Sequence, residues 1–175
     1  MQKHLTQLVL AGLIAGLSLP CAAQTPLVLK DSGLKKLGVF IGSWYAESTD
    51  PNQPVSASYT CQWAPNGNFL IADQAVNNAG TKSNNLSIYN YNPAKDDYTL
   101  TLVGIAGMEP FTIPITYHGD TLFYHSEYSN NGKKMYNRTL NIFLSPSSYT
   151  YLIQSSEDGE HWTTQGMGKA KKQPS

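Results

Sequence analysis

The feature that most constrains this chain is a two-residue alternation of apolar and polar side chains, repeated between turn signals. The clearest run sets Val55, Ala57, Tyr59, Cys61 and Trp63 against Ser56, Ser58, Thr60 and Gln62. Phe111, Ile113, Ile115 and Tyr117 alternate with Thr112, Pro114 and Thr116 in the same way. A period of two means β-strand, with one face on a core and the other in water. From Val39 onward turn signals recur roughly every 8 to 12 residues, the spacing of an all-β sandwich or barrel. Strands are expected near 39–48, 54–64, 67–76, 83–91, 97–105, 110–118, 121–129, 133–144, 148–156 and 161–170. Pro114 has no backbone donor and must sit at an edge or a bulge. Only 27–38 reads as helical, a short turn that acts as a lid ahead of the first strand. An antiparallel up-and-down β-barrel of 8 to 10 strands is the expected fold, because closure removes exposed edges. A sandwich is the alternative.

The N-terminal segment is expected to be a targeting signal, residues 1–23, ahead of one domain, 24–175. Lys3 and His4 precede an apolar run over 8–19, and Cys21-Ala22-Ala23 puts small residues at both positions a signal peptidase reads before Gln24. That run is short of the roughly 20 residues a bilayer span needs, so no transmembrane segment is expected. Cys21 would serve a lipoprotein, but Ser18-Leu19-Pro20 fits a lipobox poorly. The expected location is therefore the periplasm or the exterior. Cys61 is then the one remaining thiol, which excludes an internal disulfide and suits a small buried hydrophobe.

Twelve basic and twelve acidic side chains, less Lys3, leave a nearly neutral domain with no basic stripe for nucleic acid. Eleven tyrosines with many Thr, Ser and Asn suit a β-rich core and surface. The polar tail 169–175 is expected to fray.

Turn chemistry lets the strand faces be checked against one another. Gly119-Asp120 suits a type II′ turn, pairing Tyr117 with Leu122 and Ile115 with Tyr124. Asn130-Asn131-Gly132 as a three-residue loop places Tyr124 opposite Arg138 and Leu122 opposite Leu140. Read instead as a two-residue Asn131-Gly132 turn, it places His125 opposite Arg138. A four-residue turn at Ser145-Pro146-Ser147-Ser148 pairs Leu144 with Tyr149 and Ile142 with Tyr151. Asp158-Gly159 as a type I′ turn pairs Ser155 with Trp162. With the three-residue loop, Tyr117, Leu122, Tyr124, Tyr136, Leu140, Ile142, Leu144, Tyr149, Tyr151, Ile153 and Trp162 share the interior face. A one-residue slip would turn such a set outward.

Arg138, the single arginine of the chain, falls on that face, in a row with Ile115, Tyr124, Ser155 and Trp162. A guanidinium cannot be neutralised, so inside a barrel it needs an acceptor. Either it meets a ligand carboxylate or phosphate, with Tyr124 and Tyr136 adding hydroxyls, or it stacks on an aromatic ring and donates to backbone carbonyls. The expected ligand-binding set is Arg138, Tyr124, Tyr136, Ser155, Trp162 and Tyr151.

Gly42-Ser43-Trp44 resembles the Gly-x-Trp signature of lipocalins and related (calycin-type) barrels. The resemblance implies that Trp44 plugs one barrel end against a basic side chain, with Arg138 or Lys169 the candidates. The chain also looks like a bacterial family known as domain of unknown function 1579. The matching features are Trp63 with Pro65-Asn66-Gly67-Asn68-Phe69-Leu70, then Tyr89-Asn90-Tyr91-Asn92-Pro93 with Lys95 and Tyr98. Gly132-Lys133-Lys134 with Arg138 and Ser156-Glu157-Asp158-Gly159-Glu160-His161-Trp162-Thr163 complete them. This likeness covers about Leu34 to Lys169 and implies a lipocalin-like barrel.

No nucleophile elbow, phosphate-cradling loop or zinc-helix motif is present. His125 and Glu127 share a strand face, as two metal ligands could, but lack a third. A haem site would need an inward histidine, and His118, His125 and His161 supply none on this register, so no metal or cofactor is expected. Three functions fit: carriage of a small apolar or amphipathic ligand, an anionic one included; an envelope interaction protein acting through loops such as 104–110; or a barrel enzyme. The enzyme would need Asp73 or Glu109 beside Arg138. Carriage matches the usual apolar pocket with a few polar groups.

Overall fold

The computed structural model describes residues 32–105 and 107–174. A helix α1 (Ser32–Leu37) runs into a 3-10 turn (Gly38–Phe40) and then into ten strands. These are β1 (Gly42–Ser48), β2 (Val55–Trp63), β3 (Phe69–Asn78), β4 (Thr81–Asn92) and β5 (Asp97–Val103), followed by β6 (Phe111–His118), β7 (Thr121–Asn130), β8 (Lys133–Ser145), β9 (Ser148–Ser156) and β10 (Thr163–Lys172). Each strand pairs antiparallel with its neighbours in sequence, and β1 pairs with β10 to close the barrel. The expected up-and-down barrel is therefore the fold, and the sandwich is excluded. Residues 27–31 of the expected helical stretch and the expected signal segment lie outside the described residues. Among the described residues no helix is long and apolar enough to cross a membrane.

The tail does not fray at Lys169 as expected. β10 continues to Lys172, whose Cα partner is Trp44, and the Gln173 amide donates to the Ser43 carbonyl at 2.8 Å. The last strand is held because its even residues face inward, where Gly168 and Ala170 are buried.

Trp44 is 1% exposed and ties the closed end together. Its indole Nε1–H donates to the Phe40 carbonyl at 2.8 Å. Its ring lies parallel to Tyr59 and packs on Tyr149. The basic partner is neither Arg138 nor Lys169. Lys172 places its ammonium 5.1 Å from the indole centroid, whereas Lys169 points outward to Glu47. Leu34, Leu37 and Phe40 fill the barrel end from α1 and the 3-10 turn, and Tyr98 donates to the Gly33 carbonyl at 3.0 Å. The helix is thus a plug rather than a lid.

Three turns depart from the expected register. Asn130 pairs with Lys133 across a two-residue Asn131-Gly132 turn, with φ of 51° and 79°, the left-handed pair that a type I′ turn requires. His125 therefore faces Arg138, and Tyr124 faces Thr139. At the next hairpin Phe143 pairs with Tyr149 and Ser145 with Ser148, so Leu144 bulges out and is 68% exposed. The bulge restores the parity, and Tyr149, Tyr151 and Ile153 lie inside as expected. On β8 the inward residues are Thr139, Asn141 and Phe143, while Tyr136, Arg138, Leu140, Ile142 and Leu144 point outward. The last loop is also longer than expected. Ser155 pairs with Thr163 rather than Trp162, and the Asp158 carboxylate accepts the Glu160 and His161 amides at 2.8 Å each. These bonds hold the Asp158 carboxyl well below the usual carboxylate range.

Cys61 is buried and free, and burial pushes its thiol up to about 12. Replacing Trp44 with alanine removes the ring that joins plug, floor and closing strands. Trp44→Ala is expected to cost roughly 3–5 kcal/mol in denaturant unfolding, with loss of under about 1 kcal/mol contradicting its role as the plug.

Candidate functional site

Above the plug, the inward faces of β1 to β9 surround a cavity of about 320 Å³. Its aromatic wall is Tyr59, Tyr89, Tyr124, Tyr149 and Tyr151, and Leu100, Leu102, Ile113 and Ile153 supply the aliphatic part. Gln74, Ser87, Thr139 and Asn141 add neutral polar groups, and among the described residues no charged side chain lines it. Ile153 is on the inward face yet 41% exposed, so the cavity opens to solvent at the end away from α1. A hollow of about 580 Å³ at the plugged end lies outside the barrel between α1 and the hairpin tips, and its walls include Lys36 and Asp120.

Burying this many phenols demands partners for their hydroxyls. Tyr59 and Tyr149 share a hydrogen bond of 2.7 Å across the floor. Asn141 donates to Tyr124 at 3.2 Å, and the Tyr89 hydroxyl lies beside that of Tyr124. These tyrosines come from β2, β4, β7 and β9, and inward alternation on each strand brings their hydroxyls together in a layer across the barrel interior. Desolvation raises the ionisation of Tyr59, Tyr89 and Tyr124 far above the ordinary tyrosine value and pushes Tyr149 up to about 12. The layer is a neutral hydrogen-bonding surface at any physiological pH.

Of the residues expected to form the site, Tyr124 and Tyr151 line the cavity. Ser155 lies on the inward face at the rim, where its hydroxyl accepts from the Gln165 amide at 2.8 Å. Arg138, Tyr136 and Trp162 are outside the barrel. The Arg138 guanidinium stacks 4.0 Å from the Trp162 ring centroid, and its Nε donates to the Gln154 side-chain oxygen at 2.8 Å. That matches the expected aromatic stacking in form, on the opposite face of the wall. Tyr136 carries Lys134 over its ring. Gly42, at φ 109°, opens β1 in a left-handed conformation that suits glycine.

The carboxylates an enzyme would have needed also lie outside. Asp73 is exposed on the outer face of β3, and Glu109 is exposed before β6. His118, His125 and His161 are all on the outer surface; His125 bonds Thr116 at 3.1 Å. Among the described residues no cluster of three or more His, Cys, Asp or Glu side chains could hold a metal ion. The cavity residues that sequence reasoning missed are Tyr59, Tyr89, Thr139 and Asn141. Tyr59 stood in the clearest alternating run, whereas Thr139 and Asn141 were hidden by the slip in β8.

No family model matches the chain, and neither does any curated protein. Among solved structures, the crystal structure of Rv2717c from M. tuberculosis is similar at a TM-score of 0.52 and 13% identity, over 82% of this chain and 99% of that one. At that identity the likeness is one of fold.

The raised tyrosines have a consequence for stability at alkaline pH. In the unfolded chain they ionise near the ordinary value of about 10, while in the barrel they stay protonated. The unfolded state then binds fewer protons than the folded one, so stability is full below about pH 9 and falls as pH rises past 10. Absorbance at 295 nm should show the cavity tyrosines ionising together with unfolding. Ionisation of all eleven near pH 10 with the barrel intact would contradict the burial.

Proposed function

We propose that this protein carries a small, uncharged, largely apolar molecule in the barrel, held by aromatic walls and by hydrogen bonds to the tyrosine layer. One observation carries the reading: the cavity of about 320 Å³ has five tyrosines and, among the described residues, no charged side chain on its walls. That size is at the lower end of the pockets that take small organic ligands. Anionic ligands fit poorly, since Arg138 is occupied by Trp162 and Gln154 outside the wall. A carboxylate in the cavity would be an unpaired buried charge, which is strongly unfavourable. The signal-like first 23 residues support a location in the periplasm or outside the cell as part of the same proposal.

The test uses two fluorescent probes of similar size, neutral N-phenyl-1-naphthylamine and anionic 1-anilinonaphthalene-8-sulfonate. The neutral probe is expected to bind with micromolar affinity and the sulfonate at least about tenfold more weakly. Arg138→Met should leave neutral binding unchanged, while Thr139→Trp, which fills the cavity, should abolish it. Tighter binding of the sulfonate that depends on Arg138 would overturn the assignment.

A further inference from the structure

The barrel wall is incomplete on one side. β6 and β7 pair over only four rungs, Ile115 with Tyr124 through His118 with Thr121. On the far sides both strands continue: β6 follows β5 to Phe111, and β7 follows β8 to Asn130. The result is a notch between β6 and β7, a groove of about 910 Å³ that runs to the open rim.

Pro114 accounts for the notch. The two-residue Gly119-Asp120 turn makes His118 and Thr121 a hydrogen-bonded pair, and such pairs recur at every second residue. Thr116 with Phe123 is the next, and Pro114 with His125 would follow. Proline has no N–H to give to that rung, and pairing stops there. Its other neighbour is unaffected, because the same parity turns the Pro114 backbone away from β5. His125 holds the last intact rung from outside through Thr116.

The notch reaches the cavity. Ile113 lines both spaces. On β7, Tyr124 lines the cavity and Ser126, next on the same face, lines the notch; on β8, Thr139 and Asn137 stand in the same relation. A molecule between the strands would pass from Ser126 and Asn137 directly onto Tyr124.

We propose that the β6–β7 notch, kept open by Pro114, is the passage through which the neutral ligand reaches and leaves the tyrosine cavity. This rests on the carrier reading above. The passage differs from a binding site in one measurable way: narrowing it slows association and dissociation together and leaves affinity alone.

Stopped-flow fluorescence with N-phenyl-1-naphthylamine reads both rates. Thr112→Cys with Glu127→Cys puts one thiol on each bank, and a short bis-thiosulfonate reagent bridges them while buried Cys61 stays unmodified. Bridging is expected to lower both rate constants about tenfold or more, with Kd within about twofold and full recovery on reduction. Pro114→Thr, which restores the missing donor, should slow both rates as well and protect the amides of β7 beyond Tyr124 from exchange. Unchanged rates in protein shown by mass to be bridged would overturn the passage, as would slowing by Val55→Trp at the opposite rim alone. If the wild-type protein does not bind the probe, the carrier reading fails and the passage with it. Binding with notch-independent rates removes the passage only.

Discussion

Closure of the sheet at Trp44 is the constraint on which the rest of the structure depends. A ten-strand antiparallel sheet left open would expose two long edges, and pairing β1 with β10 removes both. Trp44 sits on that joint, opposite Lys172 on one side and Tyr59 on the other. Its single polar atom is satisfied by Phe40, which anchors the 3-10 turn and with it the apolar plug of Leu34, Leu37 and Phe40. Lys172 caps the indole face and reaches the Val39 carbonyl, so a lysine next to the core keeps an acceptor. One aromatic ring thus joins the first strand, the last strand, the plug and the cavity floor.

The chemistry of the interior follows from that closure. A sealed end excludes water from the lower barrel, where a charged group would be costly without a partner. Phenols suit the transition from plug to open rim, because each offers a large apolar ring and one hydroxyl. The hydroxyls of Tyr59 and Tyr149 satisfy each other, and Asn141 serves Tyr124. Charges are on the outer face instead, where Arg138 stacks on Trp162 and Lys133 and Lys134 pair with Glu157 and Glu127. The ladder of the wall that separates these two environments is shortest between β6 and β7, where Pro114 interrupts it.

Much of this was legible in the residues. The alternation in 55–63 and 111–117 assigned the correct inner faces, and Gly119-Asp120 set the β6–β7 register. Pro114 signalled a local edge, which is what the notch supplies. The interior of β8 was not legible, for a definite reason. Asn130-Asn131-Gly132 supports a three-residue loop and a two-residue turn equally, since both put glycine at positive φ. The longer loop grouped Leu140, Ile142 and Leu144 with the tyrosines, whereas the barrel turns them outward and buries Asn141. The bulge at Leu144 carries no residue signature, and it offset the first slip so that β9 came out right. The Trp44 partner was sought in Arg138 or Lys169, since a lysine in a polar tail gives no sign of being a strand residue.

The central claim is that a neutral molecule sits against the tyrosines inside the barrel, and intermolecular NMR contacts test it most directly. With tyrosine rings selectively labelled and N-phenyl-1-naphthylamine bound, contacts are expected from Tyr59, Tyr89, Tyr124, Tyr149 and Tyr151, with none from the outward-facing Tyr45 and Tyr136. Contacts confined to the outer face, with the cavity tyrosines unmoved, would contradict the account.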